Sequence, residues 1–183
     1  YVGDLSDVRT VHACEETIAR FEQLLELTPE VIACDMHPRY NSTMLAEELA
    51  AQRDVPLVRV QHHYAHVVAC MAENDVADPL IGVSFDGTGY GTDGTIWGGE
   101  ILRCDYRGFD RLGHIAPFAL VGGDAAAREG WRCALALLRR SCESDEEALE
   151  LAERLGLCDA AEGKVLLAML ARGINTVLTT SVG

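Results

Sequence analysis

The sequence lacks basic charge and long hydrophobic runs. Its 183 residues carry 15 Lys and Arg against 29 Asp and Glu, a formal net charge of −14. Wide contact with a phosphate backbone needs clustered Lys and Arg, so the composition argues against nucleic acid as a partner. No apolar run reaches the roughly 20 residues of a transmembrane helix, and we expect no membrane association. A small ligand or a basic protein partner stays open.

Cysteine pairs and a signal peptide are also missing. The seven cysteines are scattered and include no C-x-x-C motif, so we expect no zinc finger. Such thiols are typical of a reducing compartment, and the N-terminus has neither a basic nor an apolar signal region, which together predict a cytoplasmic protein. The chain begins on Tyr1 rather than Met, which indicates a piece of a longer polypeptide.

The hydrophobic pattern predicts an α/β fold. Buried strands alternate with helices in the first 75 residues, and a strand-rich stretch with a Gly-rich hairpin or meander follows. The predicted helices are 11–27, ended by Pro29; 43–52, capped by Ser42 or Thr43; the histidine helix after Val60; 125–141; 145–155, capped by Ser144 or Asp145; and 161–171. The predicted strands include 31–34, 56–60, 80–85 and 95–102. We expect a mixed sheet with flanking helices.

Three histidines lie within five residues at the start of one helix, in the stretch VQHHYAHVVACMAE. His62 and His66 are four residues apart, so they share a helix face and can reach one metal ion. His63 is rotated by about 100° and cannot easily join them. The alternative is a polar helix start, hydrogen-bonded to neighbouring carbonyl groups. The strand directly before the helix and the acidic Gly-rich loop after it favour the metal site.

That Gly-rich loop is DGTGYGTDG, residues 86–94, between two strands. Glycine lets the backbone approach phosphate oxygens closely, and threonine hydroxyls add donors, so the loop is a candidate nucleotide site. The residues assigned to it are Asp86, Gly87, Thr88, Gly89 and Gly91. Asp86 is also a candidate metal ligand, with His62 and His66. The alternative is an ordinary hairpin with solvated Asp and Thr.

Two further polar clusters are candidates. Gly122 and Gly123 open a helix whose first turn carries Asp124, where free N–H groups favour an anion, although Asp124 could equally be only an N-cap. The stretch CDMHPRYNST follows a strand and contains Asp35 and His37, which are candidate substrate contacts. An ordinary polar turn explains either of these residues alone.

Taken together, these residues resemble one known family, the HypF carbamoyltransferases that mature [NiFe] hydrogenases. The resemblance covers nearly the whole chain. The matching motifs are DMHPRYNSTMLAEEL, VQHHYAHVVACMAE, GVSFDGTGYGTDGTIWGGEIL, LGHIAPFALVGGDAAAREGWRCALALL and GINTVLTTSVG. The resemblance implies the part of HypF that is similar to TsaD, the tRNA threonylcarbamoyl transferase. The implied fold is that of actin, the large heat-shock chaperones and the sugar kinases, with a first lobe over 1–121 and the helical start of an incomplete second lobe over 122–183.

The resemblance also implies an activity and ligands. His62 and His66 would bind a divalent metal (Fe, Zn or Mg), while the Gly-rich hairpin and Asp124 would hold a nucleotide. HypF proteins make carbamoyl-adenylate from carbamoyl phosphate and ATP. They pass the carbamoyl group to the C-terminal cysteine of their partner HypE, where it becomes a cyanide ligand. No residue is assigned here as the catalytic base.

Departures from the family pattern limit what we expect of this chain alone. It carries no signature of the acylphosphatase, zinc-finger or adenylate-forming domains, and it stops before a late metal-binding Asp of the family. Thr180 stands where the family usually has Ser. We therefore expect weak nucleotide binding and no turnover from residues 1–183. The alternatives are a TsaD-like enzyme acting on tRNA, a sugar kinase, and a nucleotide- or metal-binding module without turnover.

Overall fold

A computed structural model describes residues 2–182, and the chain divides into two compact units, Tyr1–Ala77 and Asp78–Gly183. The first unit is built from helices α1 (Val8–Leu25), α2 (Asn41–Arg53) and α3 (His62–Glu73) and strands β1 (Ile32–Asp35) and β2 (Leu57–Val60). The two strands pair in parallel, as expected where a helix connects them. The alternation of helix and strand predicted for this region is confirmed.

Two helix ends in the first unit differ from the predictions. α1 ends at Leu25 because Glu26 turns into the left-handed region (φ 52°), three residues before Pro29, which therefore does not end it. α2 begins at Asn41, and Tyr40 takes the N-cap position without a side-chain bond. The predicted cap at Ser42 or Thr43 is wrong: Thr43 is buried inside the helix, and its hydroxyl donates to the Asp35 carbonyl.

The second unit contains a mixed sheet and four helices among the described residues. Its strands are β3 (Leu80–Tyr90), β4 (Ile96–Asp105), β5 (Gly108–His114), β6 (Phe118–Val121) and β7 (Thr176–Thr179). β3, β4 and β5 form an antiparallel meander, and β7 joins β4 in parallel and β6 in antiparallel fashion. The predicted mixed α/β fold and the pairing of LIGVSF with TIWGGEIL are confirmed. The predicted division after residue 121 falls inside this unit.

The helices of the second unit follow β6. They are α4 (Asp124–Arg128), α5 (Trp131–Ser141), α6 (Asp145–Arg154) and α7 (Ala160–Arg172). The single helix predicted over 125–141 is wrong, because the chain breaks at Glu129 and Gly130 between α4 and α5. Ser144 caps α6 as predicted. Apolar side chains of α5, α6 and α7 form the core with Val121; its other members are Leu135, Ala136, Ala148, Ala152, Leu166 and Leu167.

Candidate metal and nucleotide sites

The end of β2 sets the position of the histidine helix. β2 stops at Val60, and the buried Gln61 caps α3, its Oε1 accepting from the Tyr64 amide at 2.9 Å. His62 is therefore the first residue of the helix. In the parallel register Val60 lies opposite Asp35, the last residue of β1. Both strands thus end at one edge, which places the Asp35 carboxylate beside the start of α3.

His62 and His66 converge on this edge, as their spacing predicted. Nε2 of His62 lies 3.2 Å from Nε2 of His66, with the two rings nearly perpendicular (86°). Two nitrogens bound to one ion at about 2.0–2.1 Å lie about 3 to 3.4 Å apart, so the pair fits the donor set of a metal site. Imidazole suits zinc, copper, iron and nickel. The metal itself stays a prediction.

The second ring nitrogen of His62 contacts a carboxylate rather than a backbone carbonyl group. Nδ1 of His62 lies 2.8 Å from Oδ2 of Asp35, and the two side chains are 31% and 16% exposed. His63 points elsewhere: its ring is buried and its Nδ1 lies 3.2 Å from Nε2 of Gln61. The expectation that His63 does not join the pair therefore agrees with its position. The sequence pattern gave no indication that Asp35 would contact the histidine pair.

His37 completes the polar turn after β1. Its amide donates to Oδ1 of Asp35 at 2.7 Å, and its Nδ1 accepts from the Arg39 amide at 3.2 Å. The His37 ring stacks on Tyr40, with ring centres 4.0 Å apart. The structure thus brings Asp35 and His37 together with the histidine pair. Their contact with a substrate stays a prediction.

In the second unit, the Gly-rich segment is more regular than the sequence suggested. β3 continues through it to Tyr90 with a register shift between Phe85 and Gly89, so residues 86–90 belong to a bulged strand. The prediction of a nine-residue loop is therefore wrong, and the turn itself covers only a few residues around Gly94 (φ 77°). Asp86 lies at the bulge, where its Oδ1 accepts from the Gly87 amide at 2.7 Å. Its place as a metal ligand stays a prediction.

Left-handed backbone explains few of these glycines. Among the glycines of residues 86–94, Gly94 alone has a positive φ. Gly91 is required by packing, because a Cβ there would lie 2.2 Å from Nε1 of Trp97. Gly87 has open space around its Cα and leaves that stretch of backbone accessible. An accessible glycine backbone beside a carboxylate is compatible with the predicted nucleotide contact.

A charge network that the sequence did not reveal lies behind this hairpin. Glu100 is fully buried, and its Oε2 accepts from Nε of Arg111 at 2.7 Å. Its Oε1 accepts from the hydroxyl of Thr180 and from the Gly98 amide at 3.3 Å. Arg111 also reaches Oδ2 of Asp93, at 3.3 Å, in the turn of the hairpin. The network links the Gly-rich turn to the residues after β7.

Asp93 is the exposed end of the network. Its Oδ1 accepts from the backbone and hydroxyl of Thr95 and from Nε1 of Trp97, while Arg111 stacks over the Trp97 ring at 3.9 Å. Burial alone would raise the pKa of Asp93, but these hydrogen bonds and the charge of Arg111 hold it below its ordinary value of 3.8. The turn is therefore held by a charged carboxylate.

The Gly-Gly-Asp segment begins a short helix. Gly122 (φ 109°) and Gly123 (φ 57°) both adopt left-handed backbone, which explains the pair. Gly123 takes the N-cap position of α4, and Asp124 is the first helical residue, so the interpretation of Asp124 as only an N-cap is wrong. The Gly122 amide donates to the Asn175 carbonyl at 2.8 Å, which ties this turn to the start of β7. Nucleotide binding here stays a prediction.

The chain matches two family models that together cover most of its length. Residues 1–73 match the HypF Kae1-like domain, and residues 82–183 match the second subdomain of the carbamoyltransferase Kae1-like domain. None of the helices among residues 2–182 is both long and apolar enough to cross a membrane.

Curated relatives agree with these matches. The chain is 42% identical over 183 residues to the carbamoyltransferase HypF2 of Cupriavidus necator, covering 100% of this chain and 22% of that protein. It is 42% identical to a carbamoyltransferase HypF homolog of the same organism, covering 99% and 45%. The carbamoyltransferase HypF of Rhizobium leguminosarum is 38% identical, covering 100% and 23%. The chain thus spans between a fifth and a half of the length of these relatives.

Two solved structures have the same fold. The crystal structure of full-length HypF in its phosphate- and nucleotide-bound form superposes with a TM-score of 0.86 at 37% identity, covering 100% of this chain and 23% of that one. The crystal structure of T. kodakarensis HypF superposes with a TM-score of 0.88 at 38% identity, covering 100% and 24%.

Proposed function

Because the chain belongs to the HypF carbamoyltransferase family, we propose that it is the part of a longer enzyme that holds an activated carbamoyl group for transfer. The donor is carbamoyl-adenylate, made from carbamoyl phosphate and ATP. The acceptor is the C-terminal cysteine of a HypE-type protein, and the product serves cyanide synthesis in [NiFe] hydrogenase maturation. The observation that carries this proposal is the histidine pair, which lies in a chain matched from end to end by HypF carbamoyltransferases.

The histidine pair of the first unit has the role of a cation site. His62 and His66 present two Nε2 atoms 3.2 Å apart, a spacing that one ion can bridge. A bound divalent cation would supply positive charge next to the oxygens of an anionic, carbamoylated substrate. The surrounding acidic chain, with its net charge of −14, favours a cation over an anion at this place.

The second unit supplies the residues that bind the nucleotide. One solved relative is described in a nucleotide-bound form. In this chain the accessible backbone at Gly87, the carboxylate of Asp86 and the Gly122–Asp124 turn are the groups assigned to ATP or its adenylate. Glycine lets a phosphate approach the backbone closely, and the Gly87 amide would exchange its bond to Asp86 for a bond to phosphate.

Transfer of the carbamoyl group tests the proposal in the full-length protein that contains this chain. The enzyme is mixed with ATP, carbamoyl phosphate and a HypE-type acceptor, and mass spectrometry measures the carbamoylated C-terminal cysteine. We expect His66→Ala to lower the transfer rate by more than about 100-fold, since even an outer partner of a metal ligand is worth about 10- to 100-fold. His12→Ala is the matched control, because His12 is an exposed histidine on α1. A His66→Ala enzyme that transfers at the rate of the His12→Ala enzyme would contradict the proposal.

Calorimetry with ATP and AMP tests the nucleotide contact in the 183-residue chain. We expect weak binding that Asp86→Ala and Asp124→Ala reduce, together with no carbamoyl-phosphate-dependent release of pyrophosphate. Asp159→Ala is the control, because Asp159 caps α7 and has no assigned ligand. Release of pyrophosphate at the rate of the full-length protein would refute the assignment of ATP activation to other domains.

A further inference from the structure

Asp35 is fixed on both of its carboxylate oxygens. Oδ1 accepts from the His37 amide at 2.7 Å, and Oδ2 lies 2.8 Å from Nδ1 of His62. Its backbone is fixed as well, because the carbonyl accepts from the hydroxyl of Thr43, which is buried in α2. The carboxylate therefore has little freedom to move, and the His62 ring must adapt to it.

The contact determines which nitrogen of His62 carries the proton. An ionised carboxylate has no proton to donate, so Nδ1 of His62 is the donor. In the neutral ring Nε2 then carries the lone pair, and this atom lies 3.2 Å from Nε2 of His66. Metal-binding histidines commonly donate their second ring N–H to a carboxylate, which fixes the tautomer and the ring orientation.

We infer that Asp35 is a positioning residue: it holds the His62 ring with its Nε2 lone pair towards His66 and thereby sets the cation affinity of the pair. The second half of this inference rests on the proposed metal site, while the first half concerns the protein alone. In this role Asp35 acts through His62, because its Oδ2 contacts Nδ1 of that ring.

The His62 tautomer is measured first, by long-range ¹H–¹⁵N NMR of the metal-free 183-residue chain. At about pH 8, where ordinary imidazoles are neutral, we expect His62 in the wild type to be protonated at Nδ1. In Asp35→Ala the bias towards this tautomer is lost. Asp54→Ala is the matched control, since Asp54 is an exposed aspartate of the same unit at the end of α2. It should leave the His62 signals unchanged.

Cation affinity is measured second, by calorimetric titration with Zn²⁺. We expect Asp35→Ala to weaken binding by about 10- to 100-fold relative to wild type, as is usual when an outer partner of a ligand is lost. Asp35→Asn has a single side-chain oxygen, and where that oxygen keeps the His37 amide the NH2 group faces Nδ1 of His62. That group donates to Nδ1 and favours the opposite tautomer, so we expect the affinity of Asp35→Asn to fall at least as far as that of Asp35→Ala. The amide spectrum shows whether each variant keeps the fold of the first unit.

The two halves can fail separately. A wild type whose His62 is protonated at Nε2, or an Asp35→Ala protein with an unchanged tautomer, would overturn the positioning role. Equal Zn²⁺ affinity in wild type, Asp35→Ala and Asp35→Asn would overturn its effect on the cation. A wild type that shows the expected tautomer but binds no Zn²⁺ would overturn the effect of Asp35 on cation affinity in this chain and leave the orientation of His62 standing.

Discussion

Replacing Thr180 by valine tests the buried network around Glu100. Valine has nearly the shape of threonine but no hydroxyl, so Oε1 of Glu100 loses one of its donors and keeps the Gly98 amide at 3.3 Å. Oε2 keeps the guanidinium of Arg111 at 2.7 Å. Glu100 is fully buried, and water cannot replace the missing donor without a rearrangement of the sheet. The substitution therefore removes the bond that the hydroxyl donates to Glu100 and the bond that it accepts from the Gly98 amide at 3.1 Å.

The expected cost follows from that geometry. A hydrogen bond to a charged group contributes about 1.5–3 kcal/mol, and we expect Thr180→Val to lower the free energy of unfolding by about 2–3 kcal/mol. Thr180→Ser keeps the hydroxyl and removes one methyl group, which costs about 1 kcal/mol where the site is buried. The serine variant is therefore the matched control, and it carries the residue usual in the family.

Urea denaturation followed by tryptophan fluorescence is the assay. The two tryptophans of the chain, Trp97 and Trp131, both lie in the second unit, so the signal reports the unfolding of that unit alone. The transition should move to lower urea with an unchanged slope, since the surface exposed on unfolding does not change. Thr180→Val and Thr180→Ser with equal stability would refute the role assigned to the hydroxyl.

Three further predictions concern the second unit. Gly98→Ala should destabilise the second unit by at least about 1–3 kcal/mol in the same urea assay, because the added Cβ would lie 2.3 Å from Cα of Ser181. Gly108→Ala is its control: a Cβ there would enter open space, and the stability should change by less than about 0.5 kcal/mol. The pKa of Asp93 is lower in the folded protein than its ordinary value of 3.8, so its contribution to stability is present above pH 3.8 and is lost as the pH falls through the pKa of the folded state. In urea titrations at several pH values, Asp93→Asn should therefore lose less stability in acid than the wild type. Asp159→Ala should cost about 1 kcal/mol, because Asp159 forms a capping box with Glu162, and calorimetry should show unchanged nucleotide binding.

The sequence pattern predicted the features that depend on neighbouring residues alone. The histidine spacing placed His62 and His66 on one face, and the glycine-rich segment correctly indicated a hairpin between paired strands. The start of α2 was missed because Thr43, a good N-cap by type, donates instead to the carbonyl of Asp35 in a tertiary contact. Propensity gives no information about such a competition.

The contacts that organise the candidate sites join distant parts of the sequence. Asp35 and His62 are 27 residues apart and meet because two parallel strands end at one edge. Glu100 and Thr180 are 80 residues apart, and no spacing rule relates them. The sequence hints at the second of these contacts only. Glu100 interrupts an apolar strand, where a buried charge requires a partner, but the sequence does not identify that partner.

The long separation of Glu100 and Thr180 gives the second unit an order of events during synthesis. A ribosome releases β3, β4 and β5 well before residue 180, so the meander can pair while the carboxylate of Glu100 still has water or Arg111 as its neighbours. Closing a segment of 80 residues costs about 4 kcal/mol of chain entropy, which must be offset by the core of α5, α6 and α7 and by the return of β7 to β4. The sheet of the second unit therefore stays incomplete until β7 emerges, and during this interval the paired meander is exposed to chaperones and proteases.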